Sequence, residues 1–304
     1  GSLASIHLNS SCGFRYIGTM KEVGFKFGRR LDVHVMQLML KRSSVDDEIP
    51  EENQGENCSK TNTSESIYSE DLAYIHDVGY SRLSESWMPG LLKLIQEAGI
   101  HTGTVVDLGC GGGGWVQKLI DSGYQAIGVD VSAAMIERSQ QRISSASFHV
   151  ASIWDYTFPR CHIVTALSEV LCYRTSEEAD QNAKSLFERI FDALESGGLL
   201  ILDVAEIGLD QGRDRTFAEG DDWSCLVKYE YDENRNRLHR HITTFRQVGT
   251  HYRRSQEQHT VQLYDPKRVA EMLTSVGFHV QVVRQFGAAA LLPKRAGFVA
   301  VKAK

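Results

Sequence analysis

The chain has 304 residues, a formal net charge of -6, and 24% charged against 42% hydrophobic residues. That is length enough for one large or two smaller domains with a real core, and the balance is that of an ordinary globular protein. The acidic balance argues against wholesale nucleic-acid binding, no apolar run is long enough to span a bilayer, and no signal-peptide pattern opens the chain. Cys12, Cys58, Cys110, Cys161, Cys172 and Cys225 are scattered without a CxxC pair, so a reduced, cytoplasmic setting is expected and a metal site is not.

In chain order, residues 1–42 are basic, with Val33, Val35, Met36, Leu38 and Leu40 as a strand candidate. Residues 43–66 are polar and acidic, from Asp46, Asp47 and Glu48 through Pro50 to Glu51, Glu52 and Glu56. Such a segment buries too little apolar surface to offset its ordering entropy and is expected to be a disordered linker. Residues 67–304 alternate strand and helix signals, which predicts an α/β fold on a mostly parallel sheet.

Within that zone, Leu91, Leu92, Leu94 and Ile95 mark a helix leading to Gly99. A strand over 104–108 runs into a glycine loop, then into a helix with Trp115, Val116, Leu119 and Ile120 on one face. The strand over 125–130 ends at Asp130, and Ser132 is placed to cap the next helix with its hydroxyl. Further strands are expected over 148–151 and 162–167. Ser176 is read as the cap of a helix carrying Leu186, Phe187, Ile190, Phe191 and Leu194, with Gly197-Gly198 as its terminator, before a strand over 199–204. Residues 206–263 lose the rhythm and read as antiparallel strands, 224–231, 237–247 and 252–263, inserted as a cap. A helix over 266–276 and strands over 278–285 and 296–302 close the chain.

The most telling stretch is Val105-Val106-Asp107-Leu108-Gly109-Cys110-Gly111-Gly112-Gly113-Gly114-Trp115. Glycine adopts backbone angles closed to other residues and lets a ligand approach the main chain, so this loop reads as a cofactor cradle. Gly109, Gly111 and Gly114 also satisfy the dinucleotide spacing, which keeps an NAD-dependent oxidoreductase as the alternative. Asp107 ends a strand where a carboxylate meets a cationic amine, and that favours S-adenosylmethionine. Asp130 lies about 20 residues past Gly109, the distance at which an acid meets ribose hydroxyls.

These motifs resemble those of the class I S-adenosylmethionine-dependent methyltransferases. Asp107-Leu-Gly109-Cys-Gly111-Gly-Gly113 is similar to their first motif, and Gly128-Val-Asp130-Val-Ser132-Ala-Ala-Met135 to their second-strand acid and its turn. Leu194-Glu-Ser-Gly197-Gly198-Leu-Leu-Ile-Leu-Asp203 is similar to the segment entering their fifth strand. The resemblance spans about 67–304 and implies a Rossmann-like sheet with an inserted antiparallel β cap over about 206–263. It implies that the loop of Asp107, Gly109, Cys110, Gly111 and Gly113 contacts the methionine end of the cofactor. Asp130 would then bind the ribose, Val131 and Met135 the adenine, Ser152 and Ile153 the adenine edge, and Leu167 would lie near the sulfonium. The sequence departs from the family at Ser152, where an acid is frequent.

On the acceptor side, Glu169 follows the fourth strand and His76 precedes the core as part of a lid; these two are the candidate catalytic residues. Glu257 and His259, behind Arg253-Arg254, alternate on a cap strand that reads as a solvated face, and Glu206 follows the fifth strand. A second resemblance covers 1–42. Ala4-Ser5-Ile6-His7-Leu8, Cys12-Gly13-Phe14 and the run Gly18 to Asp32 are similar to the C-terminal end of a phosphinothricin-type GNAT acetyltransferase. The loop that holds acetyl-CoA lies upstream in that family, so acetyl transfer by this fragment is not expected. The expected activity is methyl transfer to a small-molecule acceptor, at nitrogen or oxygen ahead of carbon. A cofactor-binding regulator without turnover is the non-enzymatic alternative.

Overall fold

A computed structural model describes residues 10, 14–26, 29–37, 67–173 and 178–303. The chain divides into two compact units, Gly1–Asn62 and Thr63–Lys304. In the first unit, β1 (Arg15–Lys26) and β2 (Arg29–Gln37) form an antiparallel pair with register shifts at Tyr16/Gly18 and Met20/Gly24. Val33, Val35 and Met36 lie on β2, while Leu38, Leu40 and the acidic 43–66 segment fall outside the described residues.

The second unit is built on a seven-stranded sheet. Its strands are β3 (Thr104–Leu108), β4 (Gln125–Asp130), β5 (Ser147–Val150), β6 (Cys161–Ala166), β7 (Leu194–Ala205), β12 (Phe278–Val283) and β15 (Arg295–Lys302), with the short separate pair β13 (Gln285–Phe286) and β14 (Ala289–Ala290) between the last two. They are ordered β12-β15-β7-β6-β3-β4-β5. The five from β7 to β5 are parallel, and β15 and β12 add antiparallel at the other edge. Parallel strands covered on both faces carry near-continuous apolar runs. In β7, Leu200, Leu202 and Val204 enter one core while Leu199 and Ile201 enter the other. Helices α5 (Ala179–Ala193) and α6 (Pro266–Val276) cover the first face through Leu186, Phe187, Ile190, Val269 and Leu273. Helices α2 (Ser81–Glu97), α3 (Gly114–Asp121) and α4 (Ala133–Arg142) cover the second through Leu91, Ile95, Val116, Leu119 and Ile136.

Local signals explain most helix ends. Ser132 accepts from the Met135 amide at 3.1 Å and caps α4. Asp265 caps α6 ahead of Pro266, and Gly277 ends it in the left-handed region at φ 117°. The end of α5 corrects the sequence reading. It stops at Ala193, and Gly197-Gly198 lie inside β7, at the register shift where Cys161 pairs with Leu194 but Ile163 pairs with Leu199. A Cβ at Gly198 would come within 2.9 Å of the His162 carbonyl oxygen, so the glycines permit a bulge and a close strand approach rather than a helix stop. Ser176 lies outside the described residues.

Between β7 and α6 the chain makes a four-stranded antiparallel sheet ordered β11-β10-β9-β8. Its strands are β8 (Arg215–Glu219), β9 (Trp223–Asp232), β10 (Arg237–Val248) and β11 (His251–Gln262). Sequence reading found the last three; β8 is short and alternates too briefly to stand out. This cap packs on α1 (Glu70–Gly79): Leu72 and Ile75 meet Trp223, Cys225 and Ile242.

Beside that contact, the buried Asp71 carboxylate accepts from Arg253 Nε at 2.7 Å, Arg253 Nη2 at 2.5 Å and Ser255 Oγ at 2.6 Å. Burial alone would raise this carboxyl; the hydrogen bonds from Arg253 and Ser255 outweigh it and hold the group below its ordinary value. Charge-assisted bonds of this kind lock the cap to α1. Replacing Asp71 with Ala is expected to cost about 2 kcal/mol and to lower the melting temperature by about 4–8 °C, read by calorimetric unfolding of the full chain.

Candidate functional site

The order β6-β3-β4 means that the chain leaves β3 in one direction and later returns on its other side. Loops diverge at such a switch point, and ligands bind in the crevice at the strands' carboxyl ends. A cavity of about 810 Å³ opens there. Gly109 and Gly111 line it past β3, Asp130 and Val131 past β4, Ser152 to Asp155 past β5, and Leu167 and Ser168 past β6. Ile67, Tyr68 and His76 close it from the segment leading into α1 and from α1 itself.

The glycine loop is shaped by its neighbours. Both Gly109 N and Cys110 N donate to the Val129 carbonyl, at 2.7 and 3.1 Å, so the loop is tied to β4. Gly111 adopts φ 51° and donates its N–H to Asp130 Oδ2 at 2.9 Å. A Cβ at Gly111 would meet nothing within 4 Å, so open space faces the backbone on the cavity wall. At Gly109, with φ 67°, a Cβ would strike Val170 Cγ2 at 2.3 Å. Asp130 Oδ1 accepts from Ser132 N at 2.8 Å, and burial raises its carboxyl against the pull of these N–H donors.

Comparison with known proteins agrees with this geometry. Residues 105–198 match the family model described as a methyltransferase domain. The second unit contains a methyltransferase domain, and its fold is that of the S-adenosylmethionine-dependent methyltransferases. A Geobacillus sp. (strain WCH70) protein named as a methyltransferase is 26% identical over 211 residues, covering 64% of this chain and 82% of the relative. Among solved structures, an S-adenosylmethionine-dependent methyltransferase from Clostridium acetobutylicum ATCC 824 superposes with TM-score 0.67 at 16% identity, over 76% of this chain and 98% of that one. The sugar N-methyltransferase KedS8 from Streptoalloteichus sp ATCC 53650 gives TM-score 0.63 at 17% identity, over 84% of this chain and all of its own, 100%. Both structures share the fold. Separately, 51 residues are 45% identical to phosphinothricin N-acetyltransferase of Alcaligenes faecalis, covering 17% of this chain and 25% of that relative.

The methyltransferase domain brings Gly109, Gly111, Asp130, Val131, Met135, Ser152, Ile153, Leu167 and His76 together on the cavity wall. Four other sequence candidates do not line it. Asp107 is buried under the loop, accepting from Thr165 Oγ1 at 2.7 Å. Burial pushes its carboxyl up to about 7, against the Thr165 hydrogen bond and with the nearby Asp130 charge adding to the rise. Cys110 is buried and Gly113 serves as the left-handed N-cap of α3. Glu169 is absent from the wall: its carboxylate is taken by Arg295 Nη2 at 2.7 Å and Arg240 Nη2 at 3.2 Å.

Sequence reading did not single out Tyr68, Trp154, Asp155, Ser168, Val170 or Tyr173, all of which line the cavity. Nor did it find Asp77, which takes hydrogen bonds from Arg138 and Arg142 of α4 and sits against Gly112. Only the acid at Asp155 carried a visible signal, three residues past the acid-less Ser152. The reading of β11 as a solvated face is corrected. His259 is buried, with Nε2 at 2.9 Å from Glu257 Oε2, because the segment before α1 covers both. Glu257 accepts from Tyr68 N at 2.8 Å, Ser69 N at 2.9 Å and Ser69 Oγ at 2.5 Å. Burial lowers the His76 imidazole, a shift that Asp77 opposes and His259 reinforces, so the ring is neutral at neutral pH. Glu206 pairs with Arg284.

A methyl at position 111 enters open space, so Gly111→Ala is expected to cost no more than about 1–2 kcal/mol of fold stability through its positive φ. It should still abolish the rise in melting temperature that S-adenosylhomocysteine gives the parent. Gly109→Ala, which collides with Val170, should lose stability as well.

Proposed function

We propose that this domain transfers a methyl group from S-adenosylmethionine to nitrogen or oxygen of a small-molecule acceptor that enters beneath the antiparallel cap. The observation that carries the reading is the open space facing Gly111, flanked by the Asp130 carboxylate. The residues fit that cofactor. The open backbone at Gly111 suits its methionine end, Asp130 suits ribose hydroxyls, and Val131, Met135, Ser152 and Ile153 line the cavity past β4 and β5, where they suit the adenine. S-adenosylmethionine supplies a methyl already activated by the sulfonium, so the cofactor carries the reactivity.

The protein's own part is alignment and exclusion of water. Asp107, buried beneath the loop, would hold the cofactor's cationic amine. His76, neutral and on the wall, takes the proton that an amine or hydroxyl releases on methylation. Glu169, held between two guanidiniums, orients the β6 turn rather than acting as a base. The resemblance to a sugar N-methyltransferase supports a small polar acceptor, as does a cavity of this size. No helix among the described residues is long and apolar enough to cross a membrane.

Incubation with S-adenosylmethionine and a panel of amines and alcohols should yield S-adenosylhomocysteine. S-adenosylmethionine, not NAD, should raise the melting temperature. Protection by NAD alone would overturn the reading, and binding without turnover on any acceptor would make the domain a sensor. Because burial pushes the Asp107 carboxyl up to about 7, it must lose its proton to hold a cation. S-adenosylhomocysteine should therefore bind about tenfold tighter at pH 8 than at pH 6, and Asp107→Asn should flatten that profile and weaken binding, read by calorimetry. The acid limb of kcat should fall below pH 6.5, the ordinary imidazole value, because His76 is shifted down; His76→Gln should remove that limb.

A further inference from the structure

We propose that the paired hydroxyls of Tyr68 and Tyr173 form the acceptor subsite, hydrogen-bonding the amine or hydroxyl that is methylated. The proposal rests on the methyltransferase reading and adds residues and a subsite to it.

The cavity has two ends. Asp130, Val131 and the 152–155 segment lie past β4 and β5, on the side of the adenosine. The other end lies past β3 and β6, where Val170 packs against Gly109 so closely that a Cβ there would meet its methyl at 2.3 Å. Val170 and Tyr173 open and close one 3-10 turn, Val170–Tyr173. Residues three apart eclipse in such a turn, so Tyr173 stands on the same side as Val170, over the Gly109 end. That is the end at which the methionine portion, and hence the methyl, is expected.

Tyr68 reaches the same place from the other direction. Its hydroxyl lies 3.0 Å from that of Tyr173, and both residues line the cavity. Its backbone is pinned on both sides: the N–H donates to Glu257 of β11 at 2.8 Å, and the carbonyl accepts from Ser132 Oγ at 2.6 Å. The residue is thereby held at φ 55°, a conformation a tyrosine seldom adopts, and strain of this kind persists where surrounding contacts over-determine it. His259 backs both rings, at 4.9 Å from Tyr68 and 5.8 Å from Tyr173. Three parts of the fold therefore converge on two hydroxyls: the segment before α1, the turn after β6 and the cap.

Each phenol offers one O–H and its oxygen lone pairs. One hydrogen bond between the two leaves one O–H and lone pairs on both oxygens for a ligand, and neither hydroxyl has another protein hydrogen bond among the described residues. Burial raises both phenols, which stay protonated and act as donor and acceptor rather than as anions. The nearby Arg240 charge is answered by Glu169. The pair thus suits a neutral group that both donates and accepts, as a free amine or alcohol does. Glu257 is the positioning residue for Tyr68.

The test uses two probes on the full chain. S-adenosylhomocysteine has nothing at the methyl position, whereas sinefungin carries on carbon there an amine, protonated near neutral pH, whose N–H groups can donate to the free phenol lone pairs. By calorimetry, Tyr173→Phe and Tyr68→Phe should each weaken sinefungin about five- to tenfold, the worth of one hydrogen bond, and leave S-adenosylhomocysteine within about twofold. Glu257→Gln should reproduce the selective loss, which a merely structural role would not. Equal weakening of both probes, or no change in either, overturns the proposal. Should Tyr68→Phe fail to fold, Tyr173→Phe alone decides by the same ratio. A parent chain that binds neither probe overturns the methyltransferase reading itself, and with it this subsite.

Discussion

The Asp130 carboxylate holds the site together. It joins the end of β4 to the glycine loop of β3 through Gly111 N and to the start of α4 through Ser132 N. Together with the bonds from Gly109 N and Cys110 N to the Val129 carbonyl, it keeps the loops past two parallel strands from splaying apart. With both oxygens engaged, the carboxylate fixes the open face at Gly111. Ser132, in turn, passes the constraint onward by donating to the Tyr68 carbonyl. The roof and the floor of the cavity thus share one hydrogen-bonded thread, from a buried acid in the sheet to a strained tyrosine above it.

Buried charge is distributed around that thread. Asp107 and Asp203 are both pushed up to about 7, chiefly by burial. Asp203 accepts from Ser168 N and Glu169 N, two successive residues at positive φ, and so braces the turn that leads to Tyr173. Glu169 completes the arrangement by pairing with Arg240 of the cap and Arg295 of β15. Polar groups in low dielectric are costly unless paired, and here the pairing fixes geometry between elements distant in sequence. Asp71 and Arg253 do the same for the outer edge of the cap.

The cavity wall past β3, β4 and β5 was legible along the chain. Its residues each fall within a few positions of a strand end, and the strand ends announce themselves through apolar runs broken by glycine and acid. The part where Tyr68 meets Tyr173 was not. Tyr68 and Tyr173 stand 105 residues apart, and Glu257 lies 189 residues from Tyr68. No local pattern links them, and each looks ordinary in its own neighbourhood. Glu257 and His259 even carried the alternation of a solvated strand, because alternation cannot tell water from a covering segment.

Short-range chemistry settled what each stretch could become: parallel strands from β-branched runs, a left-handed loop from spaced glycines, and helix starts at Ser132 and Asp265. Tertiary pairing settled what the same local signals meant. Gly197-Gly198 serve equally well as a helix stop or a bulge, and only the register of β7 against β6 selected the bulge. Likewise Glu169 became an ion-pair partner rather than a cavity residue because two arginines, one from the cap and one from the closing strand, arrive at its carboxylate. Backbone angles and periodicity act over a few residues and are written in the chain, whereas the desolvation and pairing of charges depend on which distant segments fold on top.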